Sequence, residues 1–187
     1  MSVSPIEILR RGRFLELVRH GRWEYARRNN ASGVVAVIPV HSDGRLVLIE
    51  QHRPAAGGSV IEWPAGLVGD EGHAESHLSA AKRELLEETG YIAASWHRAG
   101  EGMSSAGLTD EAVAFYLAKD LKRIANGGGV GNEKIVGHEV LITELPTWIQ
   151  QMKQAGKQVD CKVFAGLFLM REASGNRADG GRVTVDE

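Results

Sequence analysis

The sequence predicts an α+β domain in which helices sandwich a central mixed β-sheet, as an α/β/α sandwich, with an N-terminal β-hairpin or small sheet beside it. Three observations point there. Short β-branched runs lie on both sides of one carboxylate-rich helical stretch, two further helical stretches come late, and 187 residues with 43% hydrophobic side chains suffice for one core. A formal net charge of −2 gives no electrostatic case for nucleic acid or a membrane surface as partner. Seven arginines crowd the first thirty positions, either as a solvated surface or as a face toward anionic phosphates. Cys161 is the single cysteine, so no intramolecular disulfide forms and a reducing cytoplasm is expected. The first residues, with Pro5 and Glu7 followed by arginines, lack the apolar core of a secretion signal, and no apolar run reaches membrane-spanning length.

Each element has a local reason. Phe14 to Arg28 alternates loosely around Phe14, Leu15, Leu17, Trp23 and Tyr25 with His20-Gly21 between, which predicts a hairpin. Gly33 to Val40 is a β-branched run, Ser42-Asp43-Gly44 a turn, and Leu46 to Glu50 a second central strand. Ser59 to Glu62 predicts a short strand before a Trp63-Pro64-Ala65-Gly66 loop and a helix over roughly residues 74–89. Strands are expected at Ala94 to Gly100, Ala112 to Leu117 and Val136 to Thr143. Pro146 suits a first helical turn, with Trp148, Ile149 and Met152 on one side and Gly156 as the stop. Asp160 caps a last helix, with Val163, Phe164, Leu167 and Phe168 or Met170 facing inward and Cys161 as a buried thiol. From about Ser174 a Gly-, Asp- and Arg-rich stretch reads as a tail, which divides the chain into N-terminal strands (1–32), a main domain (33–173) and the tail (174–187).

The chemistry sits in the first helix. Gly69 is followed after five residues by Glu75, and after seven more by Arg83-Glu84-Leu85-Leu86-Glu87-Glu88-Thr89-Gly90-Tyr91. Glu84, Glu87 and Glu88 stand at i, i+3 and i+4, which places three carboxylates on one helical face. A purely structural helix gains nothing from this, because like charges at i, i+4 cost roughly 0.2–0.5 kcal/mol per pair. A hard divalent cation reverses the sign. Mg²⁺ in particular is held by one or two carboxylates together with substrate phosphates and water. Gly90 suits a left-handed cap just beyond the last carboxylate.

Every fixed letter and spacing of residues 69–91 resembles the Nudix box. The resemblance implies the Nudix fold, with Glu84 and Glu88 as the main metal ligands, Glu87 in support, Arg83 orienting the carboxylates, Glu75 anchoring the loop, and the main-chain carbonyl of Ala65 as a further ligand for Mg²⁺ or Mn²⁺. It extends from about Phe14 to Met170. Through Gln51-His52-Arg53-Pro54, Pro64-Ala65-Gly66-Leu67 and Trp23 to Arg28, the chain is similar to the ADP-ribose (ADP-sugar) pyrophosphatases of that family. That likeness implies Arg53 at the diphosphate, Trp23 stacked on the base with Arg28 in contact, Phe14 in the second stacking position, and a homodimer whose N-terminal strands cross to share the base pocket.

Two departures stand out. Ala106 occupies the place of Pro in the usual Ser-Pro-Gly after the box, and in the Gly127 to Ile135 loop only Glu133 remains of two acids spaced by one residue, opposite Gly131. Glu133 is the expected general base, with Glu111 and Glu87 as alternatives, on a glycine-rich loop able to swing. His73 and His77 stand four apart, but without a third His or a Cys they make no metal set. The reaction implied is metal-dependent hydrolysis of a nucleoside diphosphate sugar, ADP-ribose foremost. The alternatives are another sugar nucleotide such as GDP-mannose, or a non-catalytic domain that binds ADP-ribose.

Overall fold

A computed structural model of the chain describes residues 5–70, 74–131 and 133–175. Eleven strands and three α-helices are placed among them. A small antiparallel sheet is made by β1 (Ile6–Arg11), β2 (Leu15–His20) and β3 (Trp23–Arg28), in that order. The β2–β3 hairpin turns at Gly21, which adopts φ +61°. Strand β1 was not expected from the sequence, because its arginines obscure the alternation; two arginines of this sheet, Arg11 and Arg27, converge on the buried carboxylate of Glu16, at 2.6 and 2.8 Å.

The main sheet is mixed. It contains β4 (Gly33–Val40), β5 (Arg45–Arg53), β6 (Gly58–Glu62), β7 (Ala65–Val68), β8 (Tyr91–Met103), β9 (Ala112–Arg123), β10 (Ile135–Leu141) and β11 (Gln158–Val159). Strands β4 and β9 run parallel over seven positions, as do β6 and β11 over two, and the remaining pairs are antiparallel. Strands β4 and β5 leave the Ser42 to Gly44 turn with a single paired position, Val40 with Leu46. Beyond it they splay: β4 pairs with β7 and β9, whereas β5 pairs with β6 and β10. Ala65 and Gly66, read from sequence as the end of a loop, begin strand β7, because the backbone of Ala65 to Val68 satisfies itself on Gly33 to Ala36.

Strand alternation sorts the core onto two faces. Val35, Val37, Val47 and Tyr116 face helix α1 (His77–Thr89), where Ala80, Ala81 and Leu85 are fully buried. Ala36, Ile38, Leu48, Ile61 and Phe115 face α2 (Leu145–Gln154) and α3 (Cys161–Gly175) through Leu145, Ile149, Val163 and Met170. Burying one side chain such as Leu85 contributes roughly 1.5–3 kcal/mol, several times the cost of a like-charge pair on the same helix. Packing therefore holds α1 in place while its other face carries acids.

Helix α1 begins at His77, about three residues later than expected, where the Ser76 hydroxyl accepts the Ser79 N–H at 3.1 Å, and it ends as expected at Gly90, which at φ +76° donates to the Leu86 carbonyl. In α3 the Asp160 carboxylate accepts the Lys162 N–H at 2.7 Å. Three expectations for this helix are corrected. Cys161 is exposed, because as the first residue of α3 it faces the cleft described below. Phe164 is exposed as well, since Val163 and Leu167 fill the inward face with Met170, which of the pair Phe168 or Met170 is the buried one. Helical structure also continues through Ser174 to Gly175, two residues into the expected tail.

Candidate active site

The splay between β4 and β5 opens a cleft of about 730 Å³. Val34 of β4 lies on one side, Gln51 and Arg53 of β5 and Glu62 of β6 on another, Ala65 to Leu67 of β7 on the floor, and the first residues of α3 at the rim. Into this space the fold brings Glu84 and Glu88 from α1, Arg28 from β3, and Glu111 and Glu133 from loops. Of the residues singled out from sequence, Arg28, Arg53, Ala65, Glu84, Glu88 and Glu133 line one cleft.

Arg83 organises the carboxylates from behind. Its guanidinium donates to Glu84 at 2.7 Å, Glu87 at 3.3 Å, Glu75 at 3.2 Å and the Leu67 carbonyl at 2.9 Å. The hydrogen bonds it donates to Glu75, then the charge of Glu84, hold its proton more tightly than in a free arginine. Glu75 also accepts the Gly69 N–H at 3.2 Å, which ties the loop before α1 to the helix. Glu87 faces Arg83 and does not line the cleft.

Glu88 is buried, with 5% of its surface exposed, and accepts the Ala65 N–H at 3.0 Å. Burial, reinforced by the neighbouring Glu84, pushes its carboxyl up to about 9. Glu84 is likewise pushed up to about 7 by burial, against the opposing pull of Arg83. At both groups burial therefore outweighs the positive charge within reach, that of Arg83 at Glu84 and of Arg53 at Glu88. Among the described residues no three Asp, Glu, His or Cys side chains converge as a ready ligand group, because Arg83 draws Glu87 aside. The donor chemistry still fits a hard divalent cation: two carboxylates four residues apart on one helix, both desolvated, in a cleft where seven carboxylates face three cationic side chains.

Gly66 leaves room for Glu84. A Cβ there would stand 1.9 Å from Glu84 Oε1, so Gly66→Ala must push the carboxylate out of the cleft. Because the obstructing group is the end of a side chain, the fold is expected to survive with little change in melting temperature. Divalent-cation affinity, measured by titration calorimetry, is expected to fall by about 10–100-fold, as for displaced metal-site partners generally. Unchanged affinity would remove Glu84 from the site.

The triple glycine does more than connect. Gly128 and Gly129 donate to the carbonyls of Glu88 and Glu87 at 2.9 and 3.0 Å, docking the loop on the last turn of α1. A Cβ on Gly127, at φ +71°, would lie 2.5 Å from the Thr89 carbonyl carbon. Glu133 in turn accepts the Val130 N–H at 3.0 Å and lies near enough to add to the charge felt by Glu88. The loop expected to swing is thus described docked.

The base-stacking candidates lie elsewhere. Trp23 is 64% exposed and Phe14 54% exposed, each beneath an arginine, Arg22 at 5.5 Å and Arg13 at 5.0 Å from the ring centres. Neither reaches the cleft within this chain. Arg28 does, where it pairs with Glu111 at 2.5 Å, so Glu111 is engaged by an arginine rather than free to act on water. His77 packs its ring against Gly33, and His73 lies outside the described residues. Sequence reasoning assigned no role to Glu62, Gln51, Ser104 or Lys162, all of which line the cleft. Only an alternating pattern near Arg53 hinted that Gln51 shares its face.

Residues 30–154, which span the carboxylate-bearing helix and the splayed mixed sheet, match the model of the NUDIX domain. The chain belongs to the NUDIX family. It is 36% identical over 92 residues to an ADP-ribose pyrophosphatase of Mycobacterium tuberculosis, covering 49% of this chain and 44% of that one. It is 32% identical over 148 residues to a GDP-mannose pyrophosphatase of Cronobacter sakazakii, covering 74% and 72%. The chain spans about half the length of several of the curated relatives it matches. A crystal structure described as an ADP compounds hydrolase superposes with a TM-score of 0.70 over 96% of this chain and 95% of that one, at 21% identity, which shows the shared fold.

Proposed function

We propose that this chain hydrolyses the diphosphate of a nucleoside diphosphate sugar, with ADP-ribose giving AMP and ribose 5-phosphate. The observation that carries the reading is one cleft holding a desolvated carboxylate pair, two arginines and an acid on a separate loop. Glu84, Glu88 and the Ala65 carbonyl hold Mg²⁺ or Mn²⁺, with Glu87 in support and Arg83 orienting the acids. When bound, the ion neutralises the diphosphate and acidifies a water. Arg53 presents its guanidinium to the phosphate oxygens, and Arg28 faces the nucleoside. Glu133 takes the proton of the attacking water as the new P–O bond forms and the anhydride P–O bond breaks.

The same reading assigns residues from 33 to the end of α3 to the hydrolase domain, those beyond Gly175 to a tail, and 1–32 to dimerisation and base binding. Ile6, Ile8, Leu15, Leu17 and Trp23 are exposed on the small sheet, which supports a homodimer in which Trp23 and Phe14 serve the partner's cleft. No described helix is long and apolar enough to cross a membrane. The exposed Cys161 suits a reducing cytoplasm, where a thiol persists.

The test is incubation of the purified protein with ADP-ribose, GDP-mannose and 8-oxo-dGTP, with and without Mg²⁺, followed by chromatography of the products. AMP from ADP-ribose, only with metal, is the expected result. Faster GDP-mannose cleavage would transfer the assignment to that substrate, a reading favoured by the greater coverage of the Cronobacter relative. Intact nucleotides throughout would overturn hydrolysis in favour of binding alone.

A further inference from the structure

Arg53 and Glu62 belong to neighbouring antiparallel strands, yet they are not partners in register. Arg53 lies opposite Gly58, and Glu62 opposite Ile49. Gly58 and Glu62 stand four steps apart along β6, roughly 13 Å at about 3.3 Å per step. The Arg53 side chain therefore runs back along the sheet, past the row of Gln51 and Val60, to reach Glu62. There it docks side-on: Nε donates to Glu62 Oε1 at 2.7 Å and Nη2 to Oε2 at 2.8 Å. Glu62 is 3% exposed, between the buried Ile61 and Trp63, so its carboxylate is a fixed point.

Two of the five guanidinium hydrogens are spent on Glu62. The hydrogens of Nη1 and the second hydrogen of Nη2 lie on the edge turned away from it. Resting on the proposed function, we infer that Glu62 is a positioning residue, fixing the Arg53 guanidinium so that this edge meets a diphosphate oxygen. Without Glu62 the arginine has several acids of the cleft to collapse upon, Glu88 among them, whose charge it already feels. The carboxylate gives up part of the arginine's charge to gain its orientation, and orientation is what a two-point phosphate contact requires. A side chain so placed sets affinity for the diphosphate whatever sugar follows it.

The test is a mutant cycle read by binding, which separates it from turnover. Affinity for α,β-methylene-ADP with Mg²⁺ is measured by calorimetry on the full chain, on Glu62→Gln, on Arg53→Lys and on the double variant, with Glu62→Asp as a charge-retaining control. The expected result is a loss of about 10-fold or more in each single variant, a double variant no weaker than Arg53→Lys alone, and partial recovery in Glu62→Asp. A packing role for Glu62 would instead lower melting temperature and give additive losses, which would overturn the inference. So would a Glu62→Gln variant that binds like the parent. A parent chain that does not bind the probe overturns the diphosphate reading itself, and the positioning role with it.

Discussion

Glu88→Gln is expected to abolish metal-dependent turnover and, at the same time, to raise the melting temperature of the metal-free protein. Read from sequence, this residue is an exposed helix carboxylate whose loss is neutral for folding. The structure buries it, and that changes the sign. With a folded-state value of about 9 against an ordinary 4.5, the native protein binds the proton more tightly than the unfolded chain. Stability of the metal-free protein is therefore greatest below about pH 4.5 as far as this group is concerned, and falls as pH rises toward about 9. At pH 7 the accumulated cost is of order 3 kcal/mol, at about 1.4 kcal/mol per pH unit, or roughly 5–10 °C for a chain of this size. Glutamine keeps an oxygen for the Ala65 N–H and has no proton to lose. Melting in EDTA at pH 6 and pH 9 should show a downward slope in the parent that flattens in Glu88→Gln, whereas added Mg²⁺ should stabilise the parent more at pH 9. Retained turnover, or an unchanged slope, would remove Glu88 from the role assigned to it.

Gly127→Ala is expected to be the most damaging of the glycine substitutions in the loop before β10. Its left-handed backbone costs a non-glycine residue of order 1–3 kcal/mol. Its Cβ would also stand 2.5 to 2.8 Å from backbone atoms of Thr89, Gly90 and Glu88, and backbone cannot swing aside as a side chain does. The loop must lift from the end of α1, losing the Gly128 and Gly129 hydrogen bonds at about 1 kcal/mol each. A total near 3–5 kcal/mol follows, and turnover should fall further as Glu133 leaves the cleft. Gly131→Ala is the control: it shares the left-handed conformation at φ +66° but has open space around it, so about 1 kcal/mol is expected. Urea unfolding of both variants measures the difference, and equal losses would show that close packing against α1 is not what fixes the loop.

How far the sequence carried is visible residue by residue. The C-terminal limit of α1 was legible because Gly90 and the acid spacing are local signals, and α2 was legible because Pro146 and Gly156 punctuate it. The β4–β5 hairpin followed from Asp43-Gly44. Strand β7 was not legible, since Ala65-Gly66-Leu67 has no strand signal until Gly33 to Ala36 lies beside it. Cys161 and Phe164 failed for a related reason: an apolar neighbourhood in sequence says nothing about which helical face meets the sheet. The Nudix resemblance supplied the family and the candidate ligands. The couplings that link them, Arg53 to Glu62 and Arg28 to Glu111, join residues nine and 83 positions apart and exist only after folding.

Helix α1 is also charged against its own dipole. It has no acid in its first turn and no base in its last, while Glu84, Glu87 and Glu88 gather toward the C-terminal end, where the peptide dipoles already place partial negative charge. A helix arranged for its own stability would have the reverse. The amide hydrogens of Gly128 and Gly129, capping the carbonyls of that end, offset part of the field, and a cation over the carboxylates would offset more. The peptide backbone of α1 would thus add to the attraction for a cation over Glu84 and Glu88 without contributing an atom to its binding.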